Sequence, residues 1–115
     1  MKTLLLLTTL CASAAMAQDY QGDAKKGEKI WNQYTCYGCH GFSGQNGPGL
    51  RLVPMKLPAK TLIGMVRNPS QPNRMPPYSE KVLSDAQITD VWAYLKTLPD
   101  APAAKDIPLL QQLKN

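Results

Sequence analysis

Cys36-Tyr37-Gly38-Cys39-His40 is the stretch on which the reading of this 115-residue chain turns. The spacing C-x-x-C-H is that of covalent haem c attachment. Two cysteines three apart on a helical turn bring their sulfurs to neighbouring points, where each can form a thioether to one vinyl group of a single haem. The adjacent histidine then comes up beneath the iron as proximal ligand. Other uses of a C-x-x-C pair fit the surroundings less well. A thioredoxin-type dithiol belongs in a βαβ context, and no such pattern flanks this one. A zinc site needs a fourth protein ligand, and beyond this motif the chain offers only Cys11 and no second histidine. A disulfide across two residues closes too short a loop to stabilise much.

Upstream, Lys2, the apolar run Leu4 to Leu10 broken by Thr8 and Thr9, and the small-residue pattern Ala15-Met16-Ala17 read as a secretory signal peptide over residues 1–17. The run is far below the roughly 20 residues that span a bilayer. No second one follows, so a periplasmic chain without a transmembrane segment is expected. Cys11 follows Leu10, where a lipid-attachment site has Gly or Ala, which argues against an anchor. In an oxidising compartment a vicinal dithiol does not stay free. A processed chain this small also builds only a marginal core unaided. Both arguments ask for a bound group.

Downstream and around the motif, three helices are expected. Asp23 caps one that runs to about Tyr34, with Gly27, Ile30, Trp31 and Tyr34 on one stripe. The Gly- and Pro-rich residues 41–58 read as loop. A short helix follows Pro58, with Leu62, Ile63, Met65 and Val66 inward, and stops before Asn68-Pro69. Four prolines between Asn68 and Tyr78 forbid regular structure there. Ser84 and Gln87 form a capping box for a last helix whose Ile88, Val91, Trp92, Leu95 and Leu98 recur at helical spacing until Pro99. The domain is thus set at residues 18–98, followed by a Pro- and Ala-containing tail over 99–115. Three helices hold too little apolar chain to fill their own centre.

These residues resemble the class I cytochromes c, and within them the small bacterial periplasmic members. Gly27 and Trp31 match the positions that pack against the C-terminal helix, where Val91 and Ala93-Tyr94-Leu95-Lys96 also fit. Gly47-Pro48-Gly49-Leu50 resembles the loop whose proline carbonyl accepts from the proximal imidazole. Met75-Pro76-Pro77-Tyr78 resembles the segment that delivers the axial methionine. The resemblance implies an all-α, cytochrome c-like fold of three or more short helices and loops wrapped around one covalent haem c with its iron.

With His40 as proximal ligand, no histidine is left for the sixth position. Met75, stiffened by Pro76 and Pro77, is the expected distal ligand; Met55 and an open or water-filled site are the alternatives. Met65 is read as core packing. Leu50, Val53, Leu62, Val66 and Leu95 are expected to wall the haem. Tyr78, Arg67 and Trp92 are candidates for hydrogen bonds to its propionates or to the Met75 side. Pro48 would fix His40 through its carbonyl.

Charge is uneven. Residues 41–83 carry Arg51, Lys56, Lys60, Arg67, Arg74 and Lys81 against Glu80 alone, whereas the segments before and after are near balance. A cationic rim of this kind steers acidic redox partners such as a dehydrogenase, an oxidase or another cytochrome. Nucleic acid does not suit the compartment. Three functions follow in order: a one-electron carrier rather than an enzyme, a dedicated subunit of a periplasmic dehydrogenase docked through the apolar tail residues Ile107 to Leu110, and a haem enzyme or gas sensor with an open iron.

Overall fold

The computed structural model describes residues 20–113. The expected signal peptide lies outside the described residues. Five α-helices and one 3-10 turn, with no strand among the described residues, run in the order α1 (Ala24–Gln33), α2 (Tyr37–His40), α3 (Ala59–Arg67), α4 (Asp85–Thr97), the turn Ala104–Asp106, and α5 (Pro108–Gln112). The three long helices fall where their periodicity puts them. Asp23 caps α1 by accepting from the amides of Lys25 at 2.9 Å and Lys26 at 3.2 Å, which satisfies two of the four open donors at a helix start. Ser84 and Gln87 close the capping box on α4, the Ser84 hydroxyl accepting from the Gln87 amide at 3.2 Å and the Gln87 side chain from the Ser84 amide at 2.8 Å. No helix among the described residues is long and apolar enough to cross a membrane.

The frame is the crossing of α1 and α4. At Gly27 the two backbones touch: a Cβ there would lie 1.9 Å from the Asp90 carbonyl oxygen. Close approach lets Trp31 reach Tyr94, ring centroids 6.2 Å apart, and the Asp23 amide donate to the Asp90 carboxylate at 2.6 Å. The third long helix, α3, leans on α4 from the other side. Ile30, Trp31, Leu62, Leu83, Ile88 and Leu95 are buried between them, Leu95 completely.

The tail carries a further element: Pro108, pre-set for a first helical position, opens the short α5, which rests on the 3-10 turn through Gln111 donating to the Ala104 carbonyl at 2.8 Å. One expectation is corrected: Met65, read as core packing, lines the cavity described below.

Candidate haem site

Between α1, α3, α4 and the loops that join them lies a cavity of about 850 Å³, within the range of small-molecule and cofactor sites. Cys36, Cys39 and His40 line one part of it, and Met75 with Pro76 another. The single turn of α2 places the three motif residues together: the amides of Cys39 and His40 both donate to the Cys36 carbonyl, at 3.3 and 3.0 Å. Both cysteines are thiols, Cys39 exposed and Cys36 half-buried. Burial pushes the Cys36 thiol up from its ordinary value, and the neighbouring Cys39 adds to the shift.

His40 is fixed by the loop that follows it. Its Nδ1 lies 2.7 Å from the Leu50 carbonyl oxygen. A carbonyl only accepts, so Nδ1 carries the proton and Nε2 keeps its lone pair. The expected acceptor was the Pro48 carbonyl, and the difference has a steric cause. Gly47 takes a φ of 110°, and the Gly49 amide donates to the Cys39 carbonyl at 2.7 Å. A Cβ on Gly49 would stand 2.8 Å from His40 Nδ1. The chain therefore crosses the imidazole edge at Gly49, and the next carbonyl to face the ring is that of Leu50. Pro48 and Leu50 both still line the cavity.

Of the other expected residues, Leu62, Val66, Leu95 and Tyr78 line the cavity, and Arg67, Val53, Trp92 and Met55 do not. Arg67 is spent on the fold. Its guanidinium donates to the Tyr78 carbonyl at 2.8 Å and pairs with the Asp85 carboxylate, tying the end of α3 to the start of α4. Val53 is buried in the core beside Gly44, and its neighbour Leu52 takes the lining position. The Trp92 indole donates to the Leu57 carbonyl at 2.8 Å on the outer side of α4, with the Lys96 ammonium 4.3 Å above its ring. Met55 packs on the core cluster.

The phenol of Tyr78 is pushed up by burial first and then by the nearby Cys36 and Cys39. Tyr78 is braced by Tyr34, the rings edge to face at 5.8 Å, and the Tyr34 hydroxyl donates to the Val82 carbonyl at 2.7 Å.

Trp31, expected on the packing stripe with Gly27, also lines the cavity and meets His40, ring centroids 6.1 Å apart and tilted by 43°. Its position five residues before Cys36, at the same stripe as Gly27, was the available signal. Arg74 was counted only for its charge and lies at the cavity as well. Of the six cations in residues 41–83, Arg51 pairs with Asp100 at 2.5 Å and Arg67 with Asp85. Lys56, Lys60, Arg74 and Lys81 are exposed and form no ion pair among the described residues.

The donors fit a covalently held haem. Two thiols on one turn, an imidazole with its proton turned away to a carbonyl, and the thioethers of Met65 and Met75 all border one predominantly apolar cavity. The glycine at position 49 leaves the imidazole the room that a side chain would take. Residues 22–95, more than half of the chain, match a family model described as cytochrome C oxidase, cbb3-type, subunit III. No curated protein and no solved structure matches the chain.

Proposed function

Since the chain belongs to the cytochrome c family described as cytochrome C oxidase, cbb3-type, subunit III, we propose that it is a periplasmic one-electron carrier whose single haem c is bound through Cys36 and Cys39 and ligated by His40 and Met75. The observation that carries this reading is the meeting of the C-x-x-C-H turn and Met75 at one cavity. Haem c supplies there an iron that gains or loses one electron.

The chain's own residues do the rest. Leu50 holds the Nδ1 proton of His40 and so leaves Nε2 as the metal donor, raising its basicity. The Met75 thioether would be the other protein ligand to that iron, and in that role it would favour the reduced state relative to nitrogen-only ligation. Leu52, Leu62, Val66 and Leu95 keep water from the centre and lower the local dielectric. Lys56, Lys60, Arg74 and Lys81 attract acidic redox partners.

A permanent subunit of a periplasmic dehydrogenase is the second reading. It is favoured by α5 and the residue after it, where Leu109 is 66% and Leu113 74% exposed among the described residues.

The test is spectroscopic. The purified protein shows a thioether-to-iron charge-transfer band. Met75→Ala keeps the covalent haem, loses the band, gains affinity for imidazole and cyanide and falls in potential. Cys36→Ala with Cys39→Ala leaves no haem after acid-acetone extraction. Retention of the band in Met75→Ala overturns the ligand assignment, and covalent haem in the double variant overturns the attachment.

A further inference from the structure

Residues 68–77, which carry Met75, do little to hold themselves in place. None of them is buried: Pro69 and Met75 are half-buried and the others are exposed. The backbone bonds of residues 69–77 are local, the Arg74 and Met75 amides donating to the Gln71 carbonyl at 3.0 and 2.9 Å. Pro69, Pro72, Pro76 and Pro77 offer no amide and stiffen the segment, so it moves as one piece about its two ends. A segment with so few buried contacts opens at a fraction of the free energy of global unfolding. Its entry is the end of α3, where the Asn68 amide donates to the Gly64 carbonyl at 2.9 Å. Its exit is Tyr78, and there both backbone polar groups are taken by the last two residues of α3. The Tyr78 amide donates to the Val66 carbonyl at 3.1 Å, and Arg67 Nη1 donates to the Tyr78 carbonyl at 2.8 Å. Through Nη2 the same guanidinium reaches the Asp85 carboxylate in the first turn of α4.

We infer that Arg67 is a positioning residue for Met75, and that it sets how often the Met75 segment leaves its place. This rests on the reading of Met75 as distal ligand above. The two ends of one planar fork hold two separate parts of the chain, Tyr78 just past Met75 and Asp85 at the head of α4. Only 18% of the Arg67 side chain is exposed, so water competes poorly for either bond, and donors on a charged group bind more strongly than neutral ones. Asp85 belongs to a helix whose start is closed by the Ser84–Gln87 capping box, so the guanidinium is moored to a fixed point. Without Arg67, Tyr78 keeps only the Val66 bond and its ring contact with Tyr34, and the exit of the segment becomes a hinge. A lysine at this position keeps the charge and loses the fork, because one ammonium does not span both partners.

Imidazole is the probe. Oxidised holoprotein is mixed with rising concentrations of it, and binding is followed by stopped flow at the haem absorption. The rate climbs and then levels off, because imidazole enters only after Met75 has left; the plateau is the rate of departure. Arg67→Lys raises the plateau about tenfold, the low end of what a hydrogen bond to a charged group contributes. Asp85→Asn, which keeps an acceptor but not its charge, raises it about threefold, the difference between a charge-assisted and a neutral bond. Gly27→Ala weakens the helix crossing outside this segment and leaves the plateau where it is, which separates positioning from a general loss of stability. An unchanged plateau in Arg67→Lys, or an equal rise in Gly27→Ala, overturns the role of Arg67. Should Arg67→Lys fail to fold, Asp85→Asn decides alone, since it leaves the arginine in place, and a parental plateau there overturns the proposal. A parent protein without the thioether band, or a plateau that persists in Met75→Ala, overturns Met75 as ligand instead, so the two failures are told apart.

Discussion

Trp31 is the residue at which the helix frame and the haem site meet. Its indole meets Tyr94 of α4 and His40 of the attachment motif, and it is only 2% exposed. Its Nε1 is buried without an acceptor among the described residues. An orphaned donor of this kind costs about 1–3 kcal/mol, while the ring supplies a large part of the local packing. Trp31→Phe keeps much of the ring and discards the orphan, so it changes the unfolding free energy of the holoprotein by less than about 1 kcal/mol, whereas Trp31→Ala costs about 3–5 kcal/mol. Denaturant midpoints of the two variants check this. A loss in Trp31→Phe as large as that in Trp31→Ala means that the N–H has a partner after all. At this scale the grouping of Cys36, Cys39 and His40 on one turn was legible in the sequence because it is local, set by their spacing alone. The acceptor for His40 was not legible. It depends on where a glycine-rich loop crosses the ring, and only the backbone path distinguishes the Leu50 carbonyl from that of Pro48. Arg67 was misplaced for a related reason, since its carboxylate partner is Asp85, 18 residues on.

The helices were legible in their ends as well as their faces, because caps are written in single residues: Asp23 before α1, Ser84 and Gln87 at α4, Pro58 before α3. Their relative placement was legible only through Gly27. Alanine is the better helix former by about 1 kcal/mol, so a glycine in the middle of α1 signals a close crossing. The structure gives that crossing a magnitude, with the Asp90 carbonyl oxygen where a methyl group would go. Backbone cannot yield as a side-chain tip does. Gly27→Ala therefore destabilises the holoprotein by about 1–3 kcal/mol or more despite the gain in propensity, and thermal unfolding followed at the haem absorption reads the loss. An unchanged midpoint rules out the close crossing of α1 and α4. The short α5 was missed because five residues are too few to show a period, and only Pro108 at its start hinted at a helix.

For the molecule as a whole, the excess positive charge of residues 41–83 is smaller in effect than in count. Arg51 holds Asp100, while Gln45 donates to the Pro99 carbonyl at 2.8 Å, so the haem loop is fastened to the end of α4 by groups that would otherwise face a partner. Of the four cations without an ion pair among the described residues, Arg74 lines the cavity, and Lys56, Lys60 and Lys81 do not. Changing these three to glutamate slows electron exchange with an acidic partner. The effect shrinks as ionic strength rises, because the Debye length falls from about 10 Å at 0.1 M to about 3 Å at 1 M. Stopped-flow rates over a salt series measure it, with Lys105→Glu in the tail as control. The potential stays constant, since these side chains are solvated. Equal slowing by Lys105→Glu moves the contact to the tail and favours the subunit reading.

The unequal exposure of the two cysteines bears on how such a molecule can be made. Cys39 is reachable from outside in the folded frame, but Cys36 lies half under it, backed by the α1–α4 crossing, which joins residues more than 60 apart in the chain. Both sulfurs border the one cavity that a haem would fill, so bonds from them would tie the turn of α2 to the same group that α1, α3 and α4 enclose. Cys36 is the less accessible of the two, and its alkylation by a small thiol reagent is expected to lag behind that of Cys39 in the haem-free chain. The double cysteine variant, which cannot tie the two together, is expected to lose helix relative to the holoprotein, and circular dichroism reads the loss.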